Sequence, residues 1–289
     1  MPDVRSNGID ICYETFGDPA DPALLLVMGL GAQLVDWPEE FCAQLAGRGF
    51  HVIRFDNRDA GRSTWFDELG QPDLAEIFGG DLSTVGYLLS DLAADAAGLL
   101  KALGVDRAHV VGASMGGMIA QQLAVDRPDL VASLCSVMST TGDRTIGHPT
   151  PEAAAALLRP PATSREGAIA AAVATSRVIG SPGFVIAESE LIRRAELKYD
   201  RAFHPAGTQR QYAAIIASPD RTASLAGVTA PTLVVHGEAD PLIDVSGGRA
   251  TAAAVPGAEL LIVPGMGHDL PSATWPQILD AIAANAARG

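Results

Sequence analysis

The stretch His109-Val110-Val111-Gly112-Ala113-Ser114-Met115-Gly116 decides how this chain is read. It starts with a short β-branched run of the kind buried on both faces of a parallel sheet, and from Met115 to about residue 126 the chain reads as helix. Gly112-x-Ser114-x-Gly116 joins the two, with no residues to spare for a loop. The strand must pass into the helix through a sharp turn, and the glycines remove the Cβ atoms that would obstruct it. A serine at the apex stands clear of the sheet beside a helix N-terminus, whose free N–H groups favour developing negative charge. The pattern alone arises by chance in a chain with 30 glycines; the strand before it and the helix after it give it weight.

Outward from this turn the same alternation continues. Leu24-Leu25-Leu26-Val27-Met28 is a buried-type strand that stops at Gly29-Leu30-Gly31. His51-Val52-Ile53-Arg54-Phe55 is another, ending in the polar turn Asp56-Asn57-Arg58-Asp59-Ala60-Gly61-Arg62-Ser63. Further strands are predicted over 130–138, 231–237 and 259–263, with helices over about 41–48, 84–103 and 275–287. The pattern predicts an α/β fold with a mostly parallel central sheet flanked by helices. Residues 140–225 break it, being Ala-rich, interrupted by Pro and Gly, and helical in pieces such as 152–158 and 182–197. An insertion of about 85 residues is too long for a plain loop. It predicts a helical cap, or lid, set into a core made of 1–139 and 226–289.

Composition narrows the partners. The chain has 289 residues, 48% of them hydrophobic, enough for one large core. Twenty Lys and Arg stand against 34 Asp and Glu, a net charge of −14 that repels phosphate backbones and argues against nucleic acid. Cys12, Cys42 and Cys135 lack metal-site or disulfide spacing and read as buried, reduced thiols. The opening residues lack the apolar core of a signal peptide, and no run of about 18 apolar residues suits a membrane span, so a cytoplasmic protein is expected. No Gly-rich phosphate loop or metal-ligand cluster is found, and neither cofactor nor metal is expected. The partner is a small-molecule substrate.

A serine hydroxyl becomes a nucleophile when a base takes its proton. Of the six histidines, His51 and His109 begin strands, at the wrong sheet edge, and His148 and His204 lie in the insertion. His236 stands just before an acid candidate and reads as a supporting residue. His268, in Pro264-Gly265-Met266-Gly267-His268 after the last strand, is the candidate base. Asp240, in the turn after an upstream strand, is the candidate acid that holds the imidazole; Glu238 and Asp244 are neighbours able to substitute. The order Ser114, Asp240, His268 fits a strand–turn–helix nucleophile. The oxyanion donors are expected to be the backbone N–H groups of Met115 and Leu30. Met138, Phe184, Tyr199, Phe203 and Tyr212 are candidates for a pocket between cap and sheet, the competing reading being plain core.

On these residues the chain resembles the α/β-hydrolase superfamily over its whole length, and most closely the aclacinomycin methylesterase group of bacterial serine esterases. Phe16-Gly17-Asp18-Pro19 through Met28-Gly29, Val52-Ile53-Arg54 with Asp59 and Gly61-Arg62-Ser63, and Pro264–His268 carry the resemblance. It implies cleavage of a methyl ester on a polyketide glycoside to acid and methanol, without a cofactor. Two departures stand out: Met28 replaces the histidine that many relatives have before the oxyanion glycine, and the insertion matches no methylesterase stretch. Serine at the nucleophile position, where dehalogenases and epoxide hydrolases have aspartate, points away from those branches. Cofactor-free perhydrolysis or haloperoxidation, and carbon–carbon bond hydrolysis, remain as other uses of the same three residues. A binding protein on this scaffold is disfavoured, since it would not need all three.

Overall fold

Strands β1 (Asp3–Ser6), β2 (Ile9–Phe16), β3 (Ala23–Val27), β4 (His51–Phe55), β5 (Ala108–Ala113), β6 (Val131–Val137), β7 (Thr232–Gly237) and β8 (Glu259–Val263) form a single sheet. Its order is β1-β2-β4-β3-β5-β6-β7-β8 in the computed structural model, which describes residues 2–289. β1 pairs with β2 and β2 with β4 in antiparallel fashion; every other pairing is parallel.

Alternation along the central strands divides the core into two layers. Leu25 and Val27 of β3 and Val110 of β5 face helices Leu89–Ala102 and Met115–Asp126. Leu24, Leu26 and Val111 face the other way, with Phe41, Leu45, Ile278 and Leu279 of helices Glu39–Ala46 and Trp275–Ala286. Removing each such leucine or isoleucine from water contributes about 1.5–3 kcal/mol. Cys12, Cys42 and Cys135 are buried and free, and burial pushes the Cys42 thiol up to about 12. Among the described residues no helix is long and apolar enough to cross a membrane.

Helices Pro151–Leu157, Arg165–Ile179, Glu188–Arg201, Pro205–Ala217 and Thr222–Leu225 run between β6 and β7. Buried ion pairs fasten them to the turn after β4: Arg201 to Asp56 at 2.6 Å and Arg210 to Asp59 at 2.7 Å.

Several boundaries differ from the sequence expectation, each for a local reason. The N-terminal hairpin was not anticipated, although Asn7-Gly8, both at positive φ, is a two-residue hairpin turn. The helix expected over 84–103 begins at Leu89, because Asp91 Oδ2 accepts the Leu88 N–H at 2.8 Å and closes the helix there. The one expected over 182–197 is Glu188–Arg201, because the Gly183 N–H is drawn instead to the Gly265 carbonyl at 2.9 Å. Helices Arg165–Ile179, Pro205–Ala217 and Val245–Ala254 are additions to that reading.

Candidate active site

Ser114 sits between β5 and helix Met115–Asp126 with φ 57° and ψ −121°, a conformation that β-carbon sterics make rare for a non-glycine residue. Surrounding bonds hold it there. Its N–H donates to the Val137 carbonyl at 2.9 Å, and its own carbonyl accepts from Gly117 N–H and from Ser139 Oγ, both at 2.9 Å. A Cβ on Gly112 would run into the Gly116 carbonyl, and one on Gly116 into the Val27 carbonyl. The two glycines therefore let the helix close onto β5 and β3.

His268 lies in the loop after β8, with its Nε2 2.9 Å from Ser114 Oγ and its Nδ1 2.8 Å from Asp240 Oδ2. Asp240 follows β7 with its side chain fully buried. Its other oxygen, Oδ1, accepts the N–H groups of Leu242 and Ile243, each at 2.9 Å. One carboxylate oxygen is thus fixed by backbone while the other accepts a hydrogen bond from the imidazole, so Nδ1 carries the hydrogen and Nε2 presents a lone pair to the serine.

The remaining histidines have other partners. His236 is fully buried, donates to the Ile243 carbonyl at 2.8 Å, and lies 3.5 Å from Asp240; burial lowers its affinity for a proton. His109 bonds Ser133, His204 stacks on Trp65 at 4.0 Å, His148 is exposed, and His51 begins β4. Glu238 is exposed, and Asp244 caps helix Val245–Ala254 by accepting the Ser246 N–H at 2.8 Å.

The loop after β3 packs on the serine: a Cβ on Gly29 would lie 3.1 Å from Ser114 Cβ. Asn57 Nδ2 donates to the Met28 carbonyl at 2.9 Å, while the Met28 side chain joins the apolar layer. The N–H groups of Gly31, Ala32, Gln33 and Leu34 bond to Gln211, Gly29, Asp36 and Asp56, a set that does not include Leu30. Met115, first in its helix, has no intrahelical acceptor for its N–H.

The five pocket candidates enter different surroundings. Met138, at φ 42°, directly follows the residue that binds the Ser114 N–H. Phe184 packs on the apolar layer and, with Arg194 and Pro271, lines a cleft of about 550 Å³ beside the His268 loop. Tyr199 and Phe203 pair with each other at 4.7 Å, and Tyr212 meets Phe78 edge-on at 6.2 Å.

Ser181 carries no sequence signal for the place it takes. Its Oγ accepts the Gly267 N–H at 2.8 Å and donates to Asp269, whose carboxyl burial pushes above its ordinary range. Ser181-Pro182-Gly183 signals a turn, and nothing in it says which distant loop the turn will meet.

Residues 22–271 match the sequence profile of the alpha/beta hydrolase fold. The chain is 32% identical to rhodomycin D methylesterase DauP of Streptomyces sp. (strain C5), covering 98% of this chain and 96% of that one. It is 30% identical to rhodomycin D methylesterase DnrP of Streptomyces peucetius, with the same coverage. A hydrolase from Pseudomonas aeruginosa PA01 superposes with a TM-score of 0.72 at 25% identity, over 100% of this chain and 98% of that one. Sheet order, profile and full-length similarity agree: the chain belongs to the α/β hydrolase family and is one of its ester-hydrolysing enzymes.

Proposed function

We propose that the protein is a serine carboxylic-ester hydrolase working through an acyl-enzyme, with Ser114 as nucleophile, His268 as base and acid, and Asp240 orienting the imidazole. The observation that carries this reading is the unbroken run of hydrogen bonds from Asp240 through His268 to Ser114. As Oγ attacks the ester carbonyl carbon, its proton passes to Nε2 and the carbonyl oxygen becomes an oxyanion. The N–H groups of Leu30 and Met115 are the donors assigned to that charge. Collapse breaks the bond to the alkoxy oxygen, which leaves as alcohol with the proton from Nε2. Water then attacks the acyl carbon, His268 again takes a proton, and the carboxylic acid departs from a restored serine.

The substrate class in this reading is a methyl ester of a bulky hydrophobic or polyketide acid, as the names of the rhodomycin D methylesterases suggest. Residues 140–225 serve as its cap, with Met138, next to the residue that accepts the Ser114 N–H, and Phe184, beside the His268 loop, as pocket candidates. Support for the cap comes from its bonds to both loops that flank Ser114, through Gln211 and Ser181.

The test is an ester panel varied in acyl and alcohol size, run on wild type and Ser114→Ala together with fluorophosphonate labelling. Turnover should fall about 10⁴-fold or more, since such residues act as a unit, and labelling should vanish. Labelling that persists on another residue overturns the assignment.

A further inference from the structure

Gln211 is fully buried on helix Pro205–Ala217, far along the chain from the loops it touches. Its Oε1 accepts the Gly31 N–H at 2.8 Å, and its Nε2 donates to the Arg58 carbonyl at 2.7 Å. The partners fix the amide's orientation, because an N–H must meet oxygen and a carbonyl must meet the NH₂ group. One side chain thus ties the loop after β3 to the turn after β4, and both to a helix of the inserted segment. The fit is close. Gly31 has φ +63°, and a Cβ there would lie 2.8 Å from Thr208 Oγ1, on the same helix.

The bonds around Leu30 explain what this tie does. Each peptide unit is a rigid plane, so an N–H direction depends on the planes to either side. The Met28 carbonyl, one plane before, is held by Asn57, and the Gly31 N–H, one plane after, is held by Gln211. The plane between them carries the Leu30 N–H and the Gly29 carbonyl, which accepts the Ala32 N–H at 3.2 Å.

We infer that Gln211 is a positioning residue for the oxyanion site: from the inserted helix it fixes the Gly31 peptide so that the Leu30 N–H is aimed at the substrate's carbonyl oxygen. The inference rests on the roles proposed above for Ser114 and Leu30. It makes the inserted helix part of the charge-stabilising apparatus as well as a cover for the substrate.

Gln211→Met keeps the length of the side chain and removes both bonds. Its kcat should fall about 10- to 100-fold, the scale of a donor misplaced by about 1 Å, with KM changed less than about threefold. A boronic acid, which forms a tetrahedral adduct on the serine, should lose affinity by the same factor, while the carboxylate product binds as before. Unchanged kcat and boronate affinity, or an equal loss for boronate and product, would overturn the inference. A second variant decides the matter if that one fails to fold. Gln211→Asn keeps a neutral amide but is one methylene too short to reach the Gly31 N–H, which Gln211 Oε1 accepts at 2.8 Å. Its kcat and boronate affinity should fall together while KM changes less than about threefold. Wild-type kcat and boronate affinity in this variant rule the role out. Ser114→Ala, measured alongside, separates the two failures: activity surviving there defeats the parent reading, whereas its loss beside an unimpaired Gln211→Met defeats this one alone.

Discussion

Arg210 and Asp59 meet in a two-pronged ion pair, Nε to Oδ2 at 2.8 Å and Nη2 to Oδ1 at 2.7 Å, with both side chains almost wholly out of water. Tyr87 Oη and the Phe66 N–H also donate to the carboxylate, so four donors converge on it. Truncation of the arginine would leave a buried charge short of its main partner. Arg210→Met should cost about 3–5 kcal/mol, read from urea unfolding. A loss below about 1 kcal/mol would show that the helix carrying Arg210 is held chiefly by its apolar contacts.

The same carboxylate gives the fold an acid limit. Burial alone would raise the Asp59 pKa, but the donors from Arg210, Phe66 and Tyr87 outweigh it and hold the group below the ordinary carboxylate range. A group depressed in the folded state contributes its stability above the unfolded value and loses it as pH falls through the folded one. Wild type should lose stability more steeply than Asp59→Asn below about pH 4. Parallel pH curves for the two proteins would contradict this.

Asp240→Asn tests the acid by a different route. The Asn carbonyl oxygen can still accept from Leu242 and Ile243, so the turn should survive. Its NH₂ group would then face His268 Nδ1, reverse the tautomer and put hydrogen on Nε2. Turnover should drop about 10⁴-fold with little change in Tm. Near-normal turnover would shift the role to Glu238 or Asp244.

Gly267→Ala should damage the His268 loop. The new Cβ would run into the Gly180 carbonyl, a backbone atom with no rotamer to relieve the clash. We expect a destabilisation of about 1–3 kcal/mol and a larger proportional loss of activity, because the neighbouring residue is the proposed base. Wild-type kcat in this variant would mean that the two loops can part without consequence.

Substrate choice has its own test. Under the proposed cap, the site would suit a compact acyl group with a small alcohol better than a lipid droplet. Methyl esters of large hydrophobic acids should be hydrolysed faster than emulsified triolein in steady-state assays. Interfacial activation with preference for triolein would identify a lipase.

What the sequence made legible follows from where each signal resides. β3, β5, β6 and β7 are buried throughout, so their apolar runs are continuous and plain to read. β2 is half covered and polar at several positions, so its sequence shows no continuous apolar run. Ser114, Asp240 and His268 could be picked out because each follows a strand and chain order restricts the choice. Gln211, Arg201 and Arg210 carry no such mark. Their partners lie 145 to 180 residues away, and only packing brings them together. Helix Arg165–Ile179 is mostly small residues, with Val173 its buried hydrophobe, and offers little periodicity to read.

The main-chain grip on the His268 loop constrains how this enzyme can be redesigned. Ile179 takes the His268 N–H, Ser181 takes that of Gly267, and Gly183 pairs with Gly265. If 140–225 is the proposed cap, transplanting it from a relative to exchange specificity would also exchange part of the scaffold that holds His268, the proposed base. A workable chimera would need to keep Gly180, Ser181, Gly183 and Gln211 and vary the faces that none of them occupies. Diversity in substrate range would then accumulate on the outer helices of the insertion, with its inner contacts held fixed.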